Sequence, residues 1–403
     1  FIETIKNILE DINKENIFNS LLKTIIQFVV SKIQPNNSNK GASESLSLIG
    51  EDIIQEQLKD KMPFKDEKIP ENLDPFNNEE LEQFKGSLEK RINIFDTNKS
   101  KINKTLLDIP ESEKDTKGFI TSTIVAKSIE ILKKIVDRFK TKTDHGLYVT
   151  VVEEILRGLY LPELIGKSMW EKMKNATEDC FKAQDDYGGT AFLKELNKIQ
   201  DISKKEITLI GHSTGAVYIC NLLKAIQNNK YDELKKIGFN IIFLAPACTF
   251  EKFNQTISTV IEEKDNKTTT IGEKNIRNIR IFGMTDELET NDSITKLPIN
   301  NTAINTISSL IYPYSLLYFV SGLLEDNEDA PLIGMQRYYK EDRYLSDENI
   351  KNVKRYLEKK GDSLIWSISD NADGKKSDSV HHGDFDNNDK TIESLKYILS
   401  NGF

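Results

Sequence analysis

Residues 207–226 have the sequence ITLI-GHSTG-AVYICNLLKAI, in which a serine between two glycines separates two apolar runs. The first run has the composition of a strand, and the second keeps the spacing of a helix of about 12 residues. Gly211 and Gly215 flank Ser213 in a G-x-S-x-G pattern, which is typical of a sharp turn from strand to helix. A side chain at either glycine is expected to collide with neighbouring backbone. The pattern predicts that the turn exposes the Ser213 hydroxyl as a nucleophile.

The same turn predicts a place where negative charge can be stabilised. If a helix begins just after Ser213, the backbone N–H of Thr214 lies at the N-terminus of that helix. An N–H group in this position, helped by the helix dipole, can donate to an oxyanion as it develops. Thr214 is therefore the predicted oxyanion donor.

A serine hydroxyl is a weak nucleophile, so a base must lie within hydrogen-bond reach of it. The chain has four histidines. His212 lies inside the turn and cannot fold back onto Ser213. His382 follows the last apolar run and a polar loop, the position from which a base reaches such a turn. His382 is the predicted base, with His381 and His145 as alternatives.

A carboxylate must orient the base, and one segment between nucleophile and base offers several. Residues 279–292 have the sequence IRIFGMTDELETND, in which Asp286 lies on the loop after an apolar strand. Asp286 completes the chain order Ser, Asp, His and is the predicted acid. Glu287, Glu289 and Asp292 follow closely, and Glu289 is held in reserve.

Short apolar runs alternate with longer helical patterns after residue 200, which favours a parallel sheet with flanking helices. The first 145 residues are predicted to be mainly helical, with flexible linkers, and to pack on a core formed by residues 146–403. A helical insertion is expected at about 293–361. Residues 148–159 are ambiguous, with helix favoured over strand, and residues 316–324 are predicted as a buried crossover helix rather than a lid. The predicted strands are 207–210, 240–244, 279–282 and 364–368.

The serine turn, the Asp286 loop and the His382 loop together resemble the α/β-hydrolase superfamily, in its lipase and esterase branch, from about residue 146 to the end. The resemblance implies a Ser213, Asp286 and His382 triad that cleaves a carboxylic ester or related acyl bond through an acyl-serine intermediate. It implies neither a cofactor nor a metal. Further stretches resemble a poorly described group of bacterial hydrolases: SMWEKMK at 168–174, FLAPACTFEKF at 243–253, IYPYSLLYFVSGLLE at 311–325, PLIGMQRY at 331–338 and HGDFDNND at 382–389.

Two other functions fit the same pattern of residues. A serine peptidase or an acyltransferase would use the same triad, because substrate choice depends on loops and pocket shape. A non-catalytic regulatory subunit built on a hydrolase fold is the alternative from another class of protein. Such a subunit has no need to keep all three triad residue types.

The sequence departs from the superfamily at the second oxyanion donor, which the resemblance places in a loop after an earlier strand. No apolar strand with such a loop precedes Ser213. One explanation is that the earlier strands belong to a segment upstream of Phe1 or to a second chain, so that the sheet is incomplete. The other is that His145-Gly146 supplies the donor beside a strand at 148–152. The first is favoured, because a four-stranded sheet that starts at 207–210 would leave this strand half unpaired.

Composition narrows the range of partners. The net charge of −9 argues against nucleic acid, because binding phosphates requires a basic surface. Cys180, Cys220 and Cys248 form neither an even set for disulfides nor a metal-binding spacing, which favours a reducing, cytoplasmic location. No run reaches the roughly 18 apolar residues of a membrane span. The expected partner is an acyl ester substrate.

Overall fold

The computed structural model describes residues 131–158 (without 132, 133 and 136), 166–182, 187–228, 231–264, 267–292, 312 and 314–403. The chain divides into two compact units. The N-terminal unit comprises Phe1–Ile165 with Thr295–Tyr312, and the sheet unit comprises Gly166–Ile294 with Pro313–Phe403. The helices predicted before residue 131, and residues 293–311 of the predicted insertion, lie outside the described residues. The predicted division after residue 145 stays a prediction.

The N-terminal unit contains a buried cluster of polar side chains. Its helix α1 spans Leu147–Gly158, which confirms the helix favoured for this segment. Glu153 of α1 is fully buried and accepts hydrogen bonds from Arg138 Nη1 (2.6 Å) and the Tyr312 hydroxyl (2.5 Å). The Nδ1 atom of His145 lies 2.8 Å from Glu153 Oε1. Burial raises the pKa of Glu153, but His145 and Arg138 outweigh this effect and hold the pKa at about 2. The buried charge is thus paired, as a folded interior requires.

The sheet unit is built on four parallel strands in the order β1-β2-β5-β6. These strands confirm the four that the sequence predicts. Two short antiparallel pairs, β3 with β4 and β7 with β8, lie outside this sheet. The strands are β1 Thr208–His212, β2 Phe239–Leu244, β3 Val260–Lys264, β4 Lys267–Thr270, β5 Ile276–Met284, β6 Leu364–Ser367, β7 Ser369–Asp370 and β8 Lys376–Ser377.

Helices connect the parallel strands, as such connections require. In the part of the chain that the structure describes, no helix combines the length and apolar character needed to cross a bilayer. The helices of the sheet unit are α2 Lys167–Asp179, α3 Gly188–Asn197, α4 Gly215–Asn228, α5 Phe250–Ile257, α6 Ile271–Lys274, α7 Asp286–Asn291, α8 Leu316–Phe319, α9 Arg337–Lys340, α10 Glu348–Lys359 and α11 Asp389–Asn401.

Burial changes steeply across the sheet. All six residues of β2 are buried, as expected for a central strand covered on both faces. β1 lies at the end of the strand order, and Ile210 in its middle is 43% exposed. Among the described residues, no strand pairs with the outer side of β1. The prediction that a further segment or a second chain completes the sheet stays a prediction.

The apolar segment at 316–324 is buried, as predicted. It begins as α8 and continues as one π-helical turn over Val320–Leu324. Ser321, the polar residue within that turn, donates to the Ala330 carbonyl (2.9 Å) and lies 2.9 Å from the Tyr338 hydroxyl. Because its hydroxyl has partners, Ser321 can be fully buried at little cost.

Candidate active site

Ser213 lies in the turn between β1 and α4 with a positive φ of 54°. The turn is tied to the segment after β2, because Ser213 N donates to the Leu244 carbonyl (2.9 Å) and Ala247 N donates to the Ser213 carbonyl (3.1 Å). A Cβ atom at Gly211 would lie 2.8 Å from the backbone of Gly215, so only glycine fits there. A Cβ atom at Gly215 would meet no atom within 4 Å. The expected collision is therefore right for Gly211 and wrong for Gly215.

The predicted nucleophile and the predicted base are within contact distance. Nε2 of His382 lies 3.1 Å from Ser213 Oγ, a hydrogen-bond distance. His382 is 4% exposed and begins a 3₁₀ turn that spans His382–Asp384. Asp384 closes this turn by accepting a hydrogen bond from His381 N (3.1 Å).

The ring of His382 is neutral at ordinary pH. Burial, and to a lesser extent the charge of nearby His212, lower the pKa of His382 to about 3. With Nε2 placed to accept the Ser213 proton, the ring proton must reside on Nδ1. Within the described residues, Nδ1 of His382 is buried and has no hydrogen-bond partner. The ring is therefore unprotonated, and no carboxylate of the described residues contacts its other nitrogen.

Two side chains hold the main chain of His382 instead. Asp292 Oδ2 accepts a hydrogen bond from His382 N (2.9 Å), and its Oδ1 lies 2.7 Å from His381 Nδ1. Nε2 of His212 lies 3.0 Å from the His382 carbonyl, to which it can donate. The rings of His212 and His382 stack, with centroids 5.3 Å apart. The loop that carries His382 is thus joined to both the Asp292 loop and the serine turn.

Asp286, the predicted acid, makes its contacts elsewhere. Its Oδ1 atom accepts a hydrogen bond from the Tyr318 hydroxyl (2.7 Å), which in turn accepts from Arg337 Nη1 (3.0 Å). Its backbone N donates to Gln336 Oε1 (3.3 Å). None of the contacts of Asp286 with described residues joins its carboxylate to His382.

Comparison with known protein families agrees with this fold. A family model described as "Alpha/beta hydrolase of unknown function (DUF900)" matches residues 177–276, which include β1, the serine turn, α4 and β2. The match supports membership of the α/β-hydrolase superfamily. No curated protein and no solved structure matches it. Membership suggests a hydrolase.

Glu289, the reserve acid, is fully buried in α7. One carboxylate oxygen is hydrogen-bonded to the Ser315 hydroxyl, and the other has no partner among the described residues. Burial raises the pKa of Glu289 well above its usual range, and Asp292 and Asp286 raise it further against the opposing effect of Ser315. Glu289 is thus protonated at a pH where an exposed glutamate is charged.

Thr214, the predicted oxyanion donor, lies at the start of the helix that follows Ser213. Thr214 immediately precedes α4, a helix of 14 residues. Its carbonyl accepts from Val217 N (2.9 Å) and Tyr218 N (3.2 Å), and none of the described hydrogen bonds uses its N–H. That N–H is therefore available to a ligand beside Ser213. His145, the alternative source of a second donor, belongs to the N-terminal unit and contacts Glu153 and Thr150 there.

Asp292 and His212 have no role predicted from the sequence, although both lie in the predicted acid segment or serine turn. Each forms a hydrogen bond with the main chain of His382, and the ring of His212 also stacks on that of His382. A contact to a main-chain atom leaves no trace in the residue types at either position. Only the proximity of Asp292 to the predicted acid loop signals it in advance.

Proposed function

We propose that this α/β-hydrolase is a serine hydrolase that cleaves a carboxylic ester or related acyl bond through an acyl-Ser213 intermediate. The observation that carries the proposal is the 3.1 Å distance between Ser213 Oγ and Nε2 of a neutral His382. A neutral imidazole at this distance can take the serine proton as the oxygen attacks. The helix N-terminus beside Ser213 supplies the matching electrostatic element.

In the proposed reaction, Ser213 Oγ attacks the carbonyl carbon of the ester while its proton passes to His382 Nε2. The carbonyl oxygen becomes an oxyanion and accepts a hydrogen bond from Thr214 N–H. The C–O bond to the alcohol then breaks, and His382 gives its proton to the leaving oxygen. Water attacks the acyl-serine with His382 as base, and the carboxylic acid leaves as the Ser213 hydroxyl is restored.

For the carboxylate that holds the base, the contacts favour Asp292 over Asp286. Asp292 contacts the backbone of His382 and the ring of His381, whereas Asp286 is engaged by Tyr318. We therefore assign the orienting role to Asp292 and keep Asp286, the acid predicted from the sequence, as the alternative. Either residue would stabilise the imidazolium that forms during the reaction.

The proposal is tested by labelling the full chain with a fluorophosphonate probe and by assaying acyl esters of increasing chain length. We expect Ser213→Ala to abolish labelling and hydrolysis while keeping the unfolding midpoint, because the side chain supplies the nucleophile and little packing. His382→Gln should slow labelling by at least roughly 10²-fold. Ser258→Ala is the matched control, since Ser258 is exposed and bonded to its own helix. Labelling that persists in Ser213→Ala would refute the assignment.

A further inference from the structure

His212 and Ser213, which are consecutive in the chain, both contact His382. Ser213 Oγ lies 3.1 Å from the ring Nε2 of His382, and His212 Nε2 lies 3.0 Å from the carbonyl oxygen of His382. His212 and Ser213 end β1 and begin the turn, so their separation along the chain is fixed. The serine turn thus holds its base at both the ring and the main chain.

The backbone N–H of His382 is held by a different residue, Asp292. Its N–H donates to Asp292 Oδ2 at 2.9 Å. With N–H and carbonyl both bonded to side chains, the peptide groups on either side of His382 are restrained. The stacked ring of His212, with planes inclined by 29°, also limits rotation of the imidazole. A base is effective only when its ring stays within a few tenths of an ångström of the reacting position.

We propose that His212 is a positioning residue for catalysis: by donating from Nε2 to the His382 carbonyl, opposite Asp292, it keeps the His382 imidazole aimed at Ser213. This inference rests on the proposed function, because it assigns His382 the role of base. His212 does not touch the reacting atoms. Its effect passes through the main chain of His382.

The surroundings of His212 support a role for its Nε2 atom rather than for its charge. Among the described residues, the carboxylate recorded beside His212 is that of Asp386, whose Oδ2 lies 3.8 Å from His212 Nδ1, beyond hydrogen-bond distance. His212 is also only 26% exposed at its side chain, so its hydrogen bond to the carbonyl is shielded from competing water. A substitution at 212 would therefore change two contacts with His382, the hydrogen bond to its carbonyl and the stacking of the rings.

Three substitutions of His212 separate its two contacts. His212→Gln keeps a donor near the Nε2 position but loses the ring, His212→Phe keeps a ring but loses the donor, and His212→Ala loses both. We expect kcat to fall roughly 10- to 100-fold in the Phe and Ala variants with KM within about threefold, since a misplacement of about 1 Å can cost 10²-fold. The Gln variant should keep kcat within about fivefold. Asp386→Asn, which changes only the distant carboxylate, is the control and should match the unsubstituted chain.

Hydrogen exchange of the His382 amide gives a second measurement that does not depend on activity. If His212 holds the carbonyl group of His382, loss of the His212 donor loosens the loop. Exchange of the His382 amide proton, which is hydrogen-bonded to Asp292, should then be faster. We expect faster exchange in the Phe and Ala variants and unchanged exchange in the Gln variant. Equal kcat and equal exchange across all four variants would overturn the positioning role while leaving the serine hydrolase proposal intact. If the chain neither reacts with the probe nor hydrolyses any ester, the proposed function fails. The exchange rates then decide by themselves whether His212 holds the main chain of His382.

Discussion

His382 combines a buried ring with an Nδ1 atom that has no hydrogen-bond partner among the described residues. A buried donor without a partner costs about 1–3 kcal/mol, so the fold gains if a carboxylate reaches it. Three acidic residues within 286–292 are candidates for this carboxylate, and each has a different environment. Asp286 is bonded to Tyr318, Glu289 has a raised pKa, and Asp292 holds the backbone of His382.

Substitution of the carboxylates separates these candidates. We expect Asp292→Asn to lower kcat/KM by roughly 10²- to 10⁴-fold, because it weakens the contacts that place His382. Asp286→Asn should lower it less than about tenfold, since an asparagine oxygen can still accept the Tyr318 proton. Steady-state kinetics on the best ester, with unfolding midpoints as a check of folding, measures both. A larger loss in Asp286→Asn would restore the acid predicted from the sequence.

At the scale of elements, the serine turn depends on the close approach of β1 to the start of α4. Gly211 is the position where the two meet, with the backbone of Gly215 only 2.8 Å from a would-be Cβ atom. Gly215 itself lies in the first turn of α4 with open space around its α-carbon. The two glycines of one motif therefore have different physical roles.

The matched pair of alanine substitutions tests this difference. Gly211→Ala is expected to destabilise the fold by about 1–3 kcal/mol through overpacking, and to abolish probe labelling. Gly215→Ala should leave the free energy of unfolding unchanged or raise it by up to about 1 kcal/mol, because alanine is a better helix former than glycine. Urea unfolding of both variants decides the matter. Equal destabilisation would show that the two glycines are needed for the same reason.

A second pair of residues tests whether the outer side of β1 is covered. Ile210 of β1 and Ile242 of β2 are partners in the sheet register, but Ile210 is 43% exposed and Ile242 is fully buried. We expect Ile242→Ala to cost about 2–5 kcal/mol in unfolding free energy. Ile210→Ala should cost less than about 1 kcal/mol, as surface substitutions do. Similar costs at both positions would mean that another segment or a second chain packs beside β1.

At the scale of the whole molecule, two buried titratable groups of the sheet unit make the free energy of unfolding depend on pH in opposite directions. His382 has a folded pKa of about 3, below its ordinary 6.5, so the unfolded chain binds the extra proton and stability falls as pH drops through this window. Glu289 has a folded pKa well above its ordinary 4.5. The folded chain holds that proton more tightly, so stability falls as pH rises above 4.5.

Replacing Glu289 removes the second of these effects. We expect the Glu289→Gln variant to gain stability relative to the unsubstituted chain as pH rises above 4.5, by up to about 1.4 kcal/mol per pH unit. Near pH 4 the difference should reach its minimum, since the carboxyl is then neutral in both states. Urea unfolding at pH 4, 6 and 8 measures the trend. His382→Gln is the control, because it should change the free energy of unfolding mainly at acidic pH. Parallel pH curves for the variant and the unsubstituted chain would contradict the buried, protonated state of Glu289.

Local sequence determined the strands, the serine turn and the superfamily. The four strands of the parallel sheet follow from short apolar runs between helical segments, and Ser213 follows from a glycine pattern confined to five residues. These features depend on neighbours within a few positions, so periodicity and turn chemistry are enough to predict them. The choice of His382 over His381 and His145 used only its place in the chain order, and the 3.1 Å distance to Ser213 fits that choice.

The tertiary structure alone decided which carboxylate contacts His382. Asp286 and Asp292 stand at opposite ends of α7, a helix of six residues that is too short for its periodicity to be recognised in the sequence. That helix places Asp286 at Tyr318 and Asp292 at the loop of His382, so two acids of one short segment contact different partners. The sequence by itself predicted a nucleophile, an acidic segment and a base in this order along the chain. The contacts of Asp286 and Asp292 depended on where a short helix ends and on hydrogen bonds to main-chain atoms. Neither can be read from the residue type at a single position.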